Sequence, residues 1–186
     1  MKQIILILTV GLSFFSEGIK AQEKSKPMKI LVAYYSYSGN TRTVAKQIQE
    51  VTGADLFEIA VNEAYPTDYQ QLLDRAKREI HDGVKPVLKE MPENLAEYDV
   101  VIVGSPNWWS TIAPPVNSFL SNANLTDKKL AVFVTHGGGG MAKCETEARK
   151  VCPQAKTLKG FAVNGSSVNG AAPYVMKWLK EIGLVE

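Results

Sequence analysis

The sequence predicts an α/β fold, a doubly wound five-stranded parallel sheet with helices on both faces. Two observations carry this. Apolar runs bounded by turn residues alternate along the chain with segments of helical apolar spacing, and five such units fit between Met28 and Ile182. The run Tyr98–Gly104 (Tyr-Asp-Val-Val-Ile-Val-Gly) is nearly all apolar, as a strand covered on both faces must be. The 186 residues suffice for one ordinary domain, and 45% hydrophobic with 22% charged content is that of a soluble globular protein.

The start of the chain reads apart from the domain. Lys2 precedes an apolar run of 12 residues, Ile4–Phe15, and Ala21 stands before Gln22. A basic start, a short apolar core and a closing small residue form a secretory signal pattern. Residues 1–21 are therefore expected to be a signal peptide, residues 22–27 a charged linker and residues 28–186 the folded domain. The run falls short of the ~18 residues of a membrane span, and an uncleaved anchor helix is the other reading. The expected location is exported, periplasmic or secreted, with no membrane attachment once the leader is removed. No cysteine near the cleavage point marks a lipid anchor and no twin-Arg pair is present, so the chain would cross unfolded and acquire any bound group afterwards. Removing residues 1–21 leaves 19 basic and 18 acidic residues. That near-neutral balance, with no basic stripe, argues against nucleic-acid binding.

Within the domain, Met28–Tyr35 reads as the first strand. Thr41–Val51 reads as the first helix, with Val44, Ala45, Ile48 and Val51 on one face and Gly53 beyond its end. Asp55–Val61 is the second strand and Ala64–Asp68 a turn with an N-cap. Tyr69–His81 is the second helix, stopped at Asp82-Gly83, with His81 capping its end. Lys85–Glu97 is a proline-broken loop. Then follow the third strand (Tyr98–Gly104), third helix (Pro114–Asn122), fourth strand (Lys129–Thr135), fourth helix (Met141–Val151), a weaker fifth strand (Lys156–Val163) and a last helix (Ala171–Ile182). On that fourth helix Cys144 and Cys152 would stand about 12 Å apart at 1.5 Å per residue, beyond the ~7 Å reach of a disulfide. Two free, buried thiols are expected. Neither has metal-ligand spacing with a histidine, so no metal site is implied.

Three loops carry chemistry. Ser36 to Thr41 is a strand-to-helix turn of hydroxyls, one amide and one glycine. Such a turn aims backbone N–H groups and a helix dipole at one spot, which suits a phosphate. Ser36, Ser38 and Thr41 can donate, and Gly39 can take a positive φ. After the third strand comes Ser105-Pro106-Asn107-Trp108-Trp109-Ser110. In an extended segment the two indoles point opposite ways, so one can cover a flat ligand while the other packs inward. After the fourth strand comes Thr135-His136-Gly137-Gly138-Gly139-Gly140. It fails as a Walker loop, because Met141-Ala142-Lys143-Cys144 follows. Its formal dinucleotide match lacks an acidic residue about 20 positions on. His136 reads equally as a charge or proton donor beside a ligand and as a satisfied loop histidine. Arg42 is expected to face solvent.

Ser36-x-Ser38-Gly39-Asn40-Thr41 after a first strand resembles the phosphate loop of flavodoxins. The Pro106-x-Trp108-Trp109 and Thr135-His136-Gly137-Gly138 pair looks most like exported bacterial flavodoxin-like proteins, and the resemblance spans residues 28 to about 183. It implies a flavodoxin-like strand order 2-1-3-4-5 with FMN at the switch between strands one and three. It also implies a cofactor site made of Ser36, Tyr37, Ser38, Gly39, Asn40 and Thr41 for the phosphate, and Pro106, Asn107, Trp108 and Trp109 as aromatic wall, with Trp108 preferred over Trp109. Thr135, His136, Gly137 and Gly138 would serve the pyrimidine edge and N5. No residue is expected to act as a nucleophile. The resemblance implies an FMN-binding electron-transfer protein serving a redox partner protein or a small-molecule acceptor. An FMN-dependent NAD(P)H:quinone-type reductase and a flavodoxin-fold interaction module without FMN are the alternatives. The near-neutral charge departs from the acidic carriers and implies a higher flavin potential.

Overall fold

The computed structural model describes residues 28–186. The expected leader and linker, residues 1–21 and 22–27, lie outside them. Its central strand β1 (Ile30–Tyr34) is buried at every position. Because side chains alternate across a strand, Ile30, Val32 and Tyr34 enter one core while Leu31, Ala33 and Tyr35 enter the other. Beside it run β2 (Asp55–Glu58) and β3 (Val100–Trp108), both parallel, with Val32 opposite Leu56 and Ile102. Next comes β5 (Lys129–His136), with Val103 of β3 opposite Val132. The fifth position is shared by β6 (Lys156–Thr157) and β7 (Phe161–Asn164), both parallel to β5. The order is β2-β1-β3-β5 followed by β6 and β7. Taking those two as one broken strand, this is the expected 2-1-3-4-5.

Helices cover both faces. α1 (Asn40–Thr52) and α5 (Ala172–Glu181) bury Val44, Ile48, Val175 and Leu179 against Ile102 and Phe133. On the opposite face α2 (Tyr69–Asp82), α3 (Pro114–Asn122) and α4 (Cys144–Val151) bury Leu72, Val116, Phe119 and Ala148 against Val101, Val103 and Leu130. Each of the larger of these side chains contributes about 1.5–3 kcal/mol on burial, whereas the exposed pairs Lys29–Glu97 and Lys159–Glu181 are screened by solvent and add little. The two apolar layers, not the surface charges, hold the sheet.

Four elements differ from the sequence reading. The fifth strand breaks at Gly160, whose N–H donates to Glu145 Oε2 of α4 at 2.7 Å. A side chain there would meet Met141 Cε at 2.6 Å and the Val132 carbonyl at 2.9 Å. α4 begins at Cys144 rather than Met141, because Ala142 takes a positive φ and Lys143 N–H is drawn to the Ser110 carbonyl at 3.0 Å. β2 stops at Glu58, and Val61 instead bridges antiparallel to Leu88. β3 runs past Gly104 to Trp108 and turns back into a short antiparallel strand, β4 (Thr111–Ile112). Cys144 and Cys152 are free and buried. Burial pushes the Cys144 thiol up to about 12 and that of Cys152 up to about 11.

Candidate functional site

The carboxyl ends of β1, β3, β5 and β7 meet along one rim. After β1, Gly39 takes φ 91° and turns the chain into α1, where Thr43 N–H donates to the Gly39 carbonyl at 3.0 Å. Ser36 Oγ accepts from Arg42 N–H at 3.2 Å. The N–H groups of Gly39, Asn40 and Thr41 donate to no acceptor among the described residues. Three orphan donors stand at the positive end of a 13-residue helix, an arrangement that favours negative charge beside it. The Thr41 hydroxyl is only 1% exposed and meets the Thr135 hydroxyl, 4% exposed, at 2.9 Å. Those two hydroxyls thus latch the β1 turn to the end of β5. Tyr37 OH donates to the Pro66 carbonyl at 2.6 Å. Arg42 is exposed, as expected, and pairs on the surface with Glu58 of β2 through Nη2 and through Nε at 3.2 Å.

At the end of β3, Ser105 Oγ accepts from Ala113 N–H at 2.9 Å and donates to the Pro106 carbonyl, which fixes the hairpin base. Asn107 Nδ2 donates to the Gly140 carbonyl at 2.8 Å and ties this rim to the glycine loop. Trp108 is half-buried and held edge-on by three tyrosines, with ring centroids 5.6 Å from Tyr35, 6.1 Å from Tyr37 and 5.0 Å from Tyr65. Tyr65 is anchored in turn. Its hydroxyl donates to the buried Glu79 carboxylate, which also accepts from Arg75 Nε at 2.8 Å. The Arg75 guanidinium lies 4.3 Å from the Tyr65 ring centroid and donates to the carbonyls of Ala64 and Glu63. Burial, then the bond to Glu79, raises the Tyr65 phenol well above its ordinary range, so it stays a donor. Trp109 and Ser110 form the two-residue loop between β3 and β4 with φ 51° and 67°. That is a type I′ turn, which ordinarily takes Asn-Gly. Trp109 is 50% exposed.

At the end of β5, His136 Nδ1 accepts from Gly138 N–H at 3.0 Å, so the neutral ring carries its proton on Nε2. After β7, Asn164 Oδ1 accepts from Ser166 N–H and hydroxyl, and Gly165 lies so close to Asn40 that a Cβ would stand 2.6 Å from its Nδ2. His81, expected to cap α2, instead pairs with Asp82 at 2.7 Å in solvent, and Gly83 caps the helix.

These loops enclose a cleft of about 330 Å³. Of the residues the sequence singled out, it is lined by Ser38 and Asn40, by Pro106, Asn107 and Trp108, and by Thr135, His136 and Gly137. Ser36, Tyr37, Gly39, Thr41 and Gly138 belong to the same loops but not to the lining. Trp109 is turned away from this cleft, toward α2. Neither indole is sealed in the interior. A fourth loop, Asn164-Gly165-Ser166, completes the lining and was not singled out. Its signal was present, as an Asn-Gly pair directly after the fifth apolar run, at the same edge as the other three.

A family model described as flavodoxin matches residues 29–182. The chain belongs to the flavodoxin family. Among solved structures, a candidate flavoprotein of Bacteroides uniformis is 30% identical with a TM-score of 0.74, covering 83% of this chain and 99% of its own. Another from Bacteroides eggerthii is 29% identical, with a TM-score of 0.71 and coverages of 83% and 98%. A flavoprotein of Lactobacillus acidophilus, solved in complex with FMN, is 25% identical with a TM-score of 0.64, covering 81% of this flavodoxin-family chain and 98% of its own. Among the described residues no helix is long and apolar enough to cross a membrane, and no three His, Cys, Asp or Glu side chains gather to hold a metal ion.

Proposed function

We propose that the cleft binds FMN and that the protein transfers electrons through it. One observation carries this: Ser38, Asn40 at the start of α1 and Trp108 line one cleft, with the orphan N–H groups of the α1 turn beside it, as a phosphorylated flat ligand requires. The residues present fit the group. Ser38, Asn40 and the α1 N–H groups would take the phosphate without a lysine. Trp108 would cover the ring. The Gly137–Gly140 loop, held by Asn107, would offer main-chain groups to the ring edge. The FMN complex of the L. acidophilus relative supports the choice of flavin. FMN would supply one- and two-electron transfer; the chain binds and orients it and excludes water from one side.

Residues 1–21 would direct export, so FMN is taken up outside the cytoplasm by the folded domain. A near-neutral surface and His136 favour added negative charge on the flavin, and its potential should lie above that of acidic carriers. The deciding experiment adds FMN to the purified protein. A yellow 1:1 complex with quenched flavin and tryptophan fluorescence is the expected result, and absence of uptake at millimolar FMN would leave only the interaction-module reading. Cell fractionation tests export, and a redox titration tests the potential. Rapid bleaching of bound FMN by NAD(P)H alone would make the protein a reductase rather than a carrier.

A further inference from the structure

The fourth loop of the cleft is set against α1 by a close approach that its own backbone does not demand. Gly165 is not among the glycines with a positive φ, so a larger residue could adopt its dihedral angles. Its neighbours are what require a glycine. A Cβ there would stand 2.6 Å from Asn40 Nδ2 and 3.5 Å from Asn40 Cγ, but 3.7 Å from the His136 carbonyl oxygen. Only the contact with the Asn40 amide is too short. That amide pairs with nothing among the described residues, and neither of its polar atoms is sealed from water. Asn40 and Gly165 both line the cleft.

The backbone on both sides of this contact is held. Gln47 Nε2 of α1 donates to the Val168 carbonyl at 2.8 Å, the Thr41 hydroxyl is bridged to Thr135, and Val44, Ala45 and Ile48 are buried beneath the helix. The loop is fixed from its own side. Asn164 is paired in register with His136, and its Oδ1 accepts from the Ser166 N–H at 3.0 Å and from the Ser166 hydroxyl at 2.8 Å. A Cβ at position 165 is therefore admitted by turning the Asn40 side chain, the one free rotor in the contact. The fold stands, and the placement of a single amide changes.

We propose that Gly165 is a positioning residue that decides specificity: it holds the Asn40 amide beside the orphan N–H groups of the α1 turn, and so selects a phosphorylated ligand over its dephosphorylated form. These donors are neutral, so binding of a phosphate depends on how many of them reach its oxygens, and each such bond is charge-assisted. Turning one donor away weakens a ligand that carries the phosphate and leaves one without it unaffected. The selection rests on the FMN reading, whereas the positioning of Asn40 does not.

The test compares FMN with riboflavin, which lacks only the phosphate, on the full chain. Gly165→Ala should weaken FMN binding about tenfold, the loss of one hydrogen bond to a charged group. Riboflavin affinity and the urea midpoint should stay those of the unaltered chain. Asn40→Ala should weaken FMN to the same degree. Gly165→Ala added to it should do no further harm, because the group that the Cβ strikes is gone. In the ligand-free protein, nitrogen–proton spectra should show the Asn40 side-chain amide displaced by Gly165→Ala, while that of Gln47, held by the Val168 carbonyl, stays in place. Equal losses for FMN and riboflavin, additive losses in the double variant, or an unmoved Asn40 signal would each overturn the proposal. Refusal of FMN by the unaltered chain would sink the proposed function instead. The ligand-free spectrum still decides the positioning in that event: a displaced Asn40 signal upholds it and an unmoved one ends it.

Discussion

The serine-glycine turn after β1 and the tryptophan-serine turn after β3 sit on the same rim and solve the same backbone problem in opposite ways. Both need a left-handed residue. The first spends Gly39 on it, at φ 91°. The second uses Trp109 and Ser110, at 51° and 67°. In the first turn, local preference and the proposed role agree, because a glycine both permits the bend and clears room for an anion. In the second they conflict, and the conflict is resolved in favour of where an indole ends up. A local rule broken without a local gain is one of the marks of a site.

The contrast can be tested by removing what supports each side. The largest effect should come from Glu79→Ala, which strips the partner from both the Tyr65 hydroxyl and Arg75 beneath the tryptophan side. Loss of about 3 kcal/mol in urea unfolding is expected, together with weaker FMN binding as Trp108 loses its anchored neighbour. A loss below about 1 kcal/mol would mean the bracket is ornamental.

Next comes pH, which sets where the two turns can be compared at all. Native Cys144 and Cys152 titrate near 12 and 11 against an ordinary 9.0. Their folded values are raised, so below pH 9 both states are protonated and stability is flat. Above it the unfolded chain releases protons first, and stability falls by up to about 1.4 kcal/mol per pH unit for each thiol. Unfolding free energies from urea curves at pH 8 and pH 10 should differ by about 2.5–3 kcal/mol, and a double Cys→Ala variant should lose most of that difference.

Gly39→Ala is the third test. A Cβ there would meet nothing within 4 Å, so any effect is that of the backbone alone. About 1–2 kcal/mol of stability should be lost, and FMN affinity, read by fluorescence titration, should fall with it. The smallest effect runs the other way. Trp109→Asn should stabilise the protein by about 0.5–1 kcal/mol, measured as a higher unfolding midpoint. Destabilisation instead would show that the exposed indole packs usefully and that the two turns are less different than their sequences suggest.

The sheet was legible because buried strands leave long apolar runs, and Ile30–Tyr34 and Val100–Gly104 are such runs whatever their neighbours do. The order of strands was legible only through resemblance, since spacing does not say which strand pairs with which. Where the reading failed, a distant partner had intervened. Glu145 captures the Gly160 N–H and splits the fifth strand, and Ser110 captures the Lys143 N–H and delays α4. Neither of these partners is near in sequence. The hairpin at Trp109 was hidden for another reason: Trp-Ser carries no turn signal, so the segment reads as extended. At the cleft, three lining loops announced themselves by composition. The fourth, at Asn164, is short and resembles any strand-end turn.

The hydroxyl pair joining Thr41 to Thr135 has a consequence of its own. Two alcohols sharing one bridge hold two hydrogens, and only one lies between them; the other is free to turn outward. Both oxygens are shut off from water. Whichever of the two gives its hydrogen to the bridge leaves the other's hydrogen to turn elsewhere, so the polarity at the end of β5 is coupled to the orientation of a hydroxyl on α1.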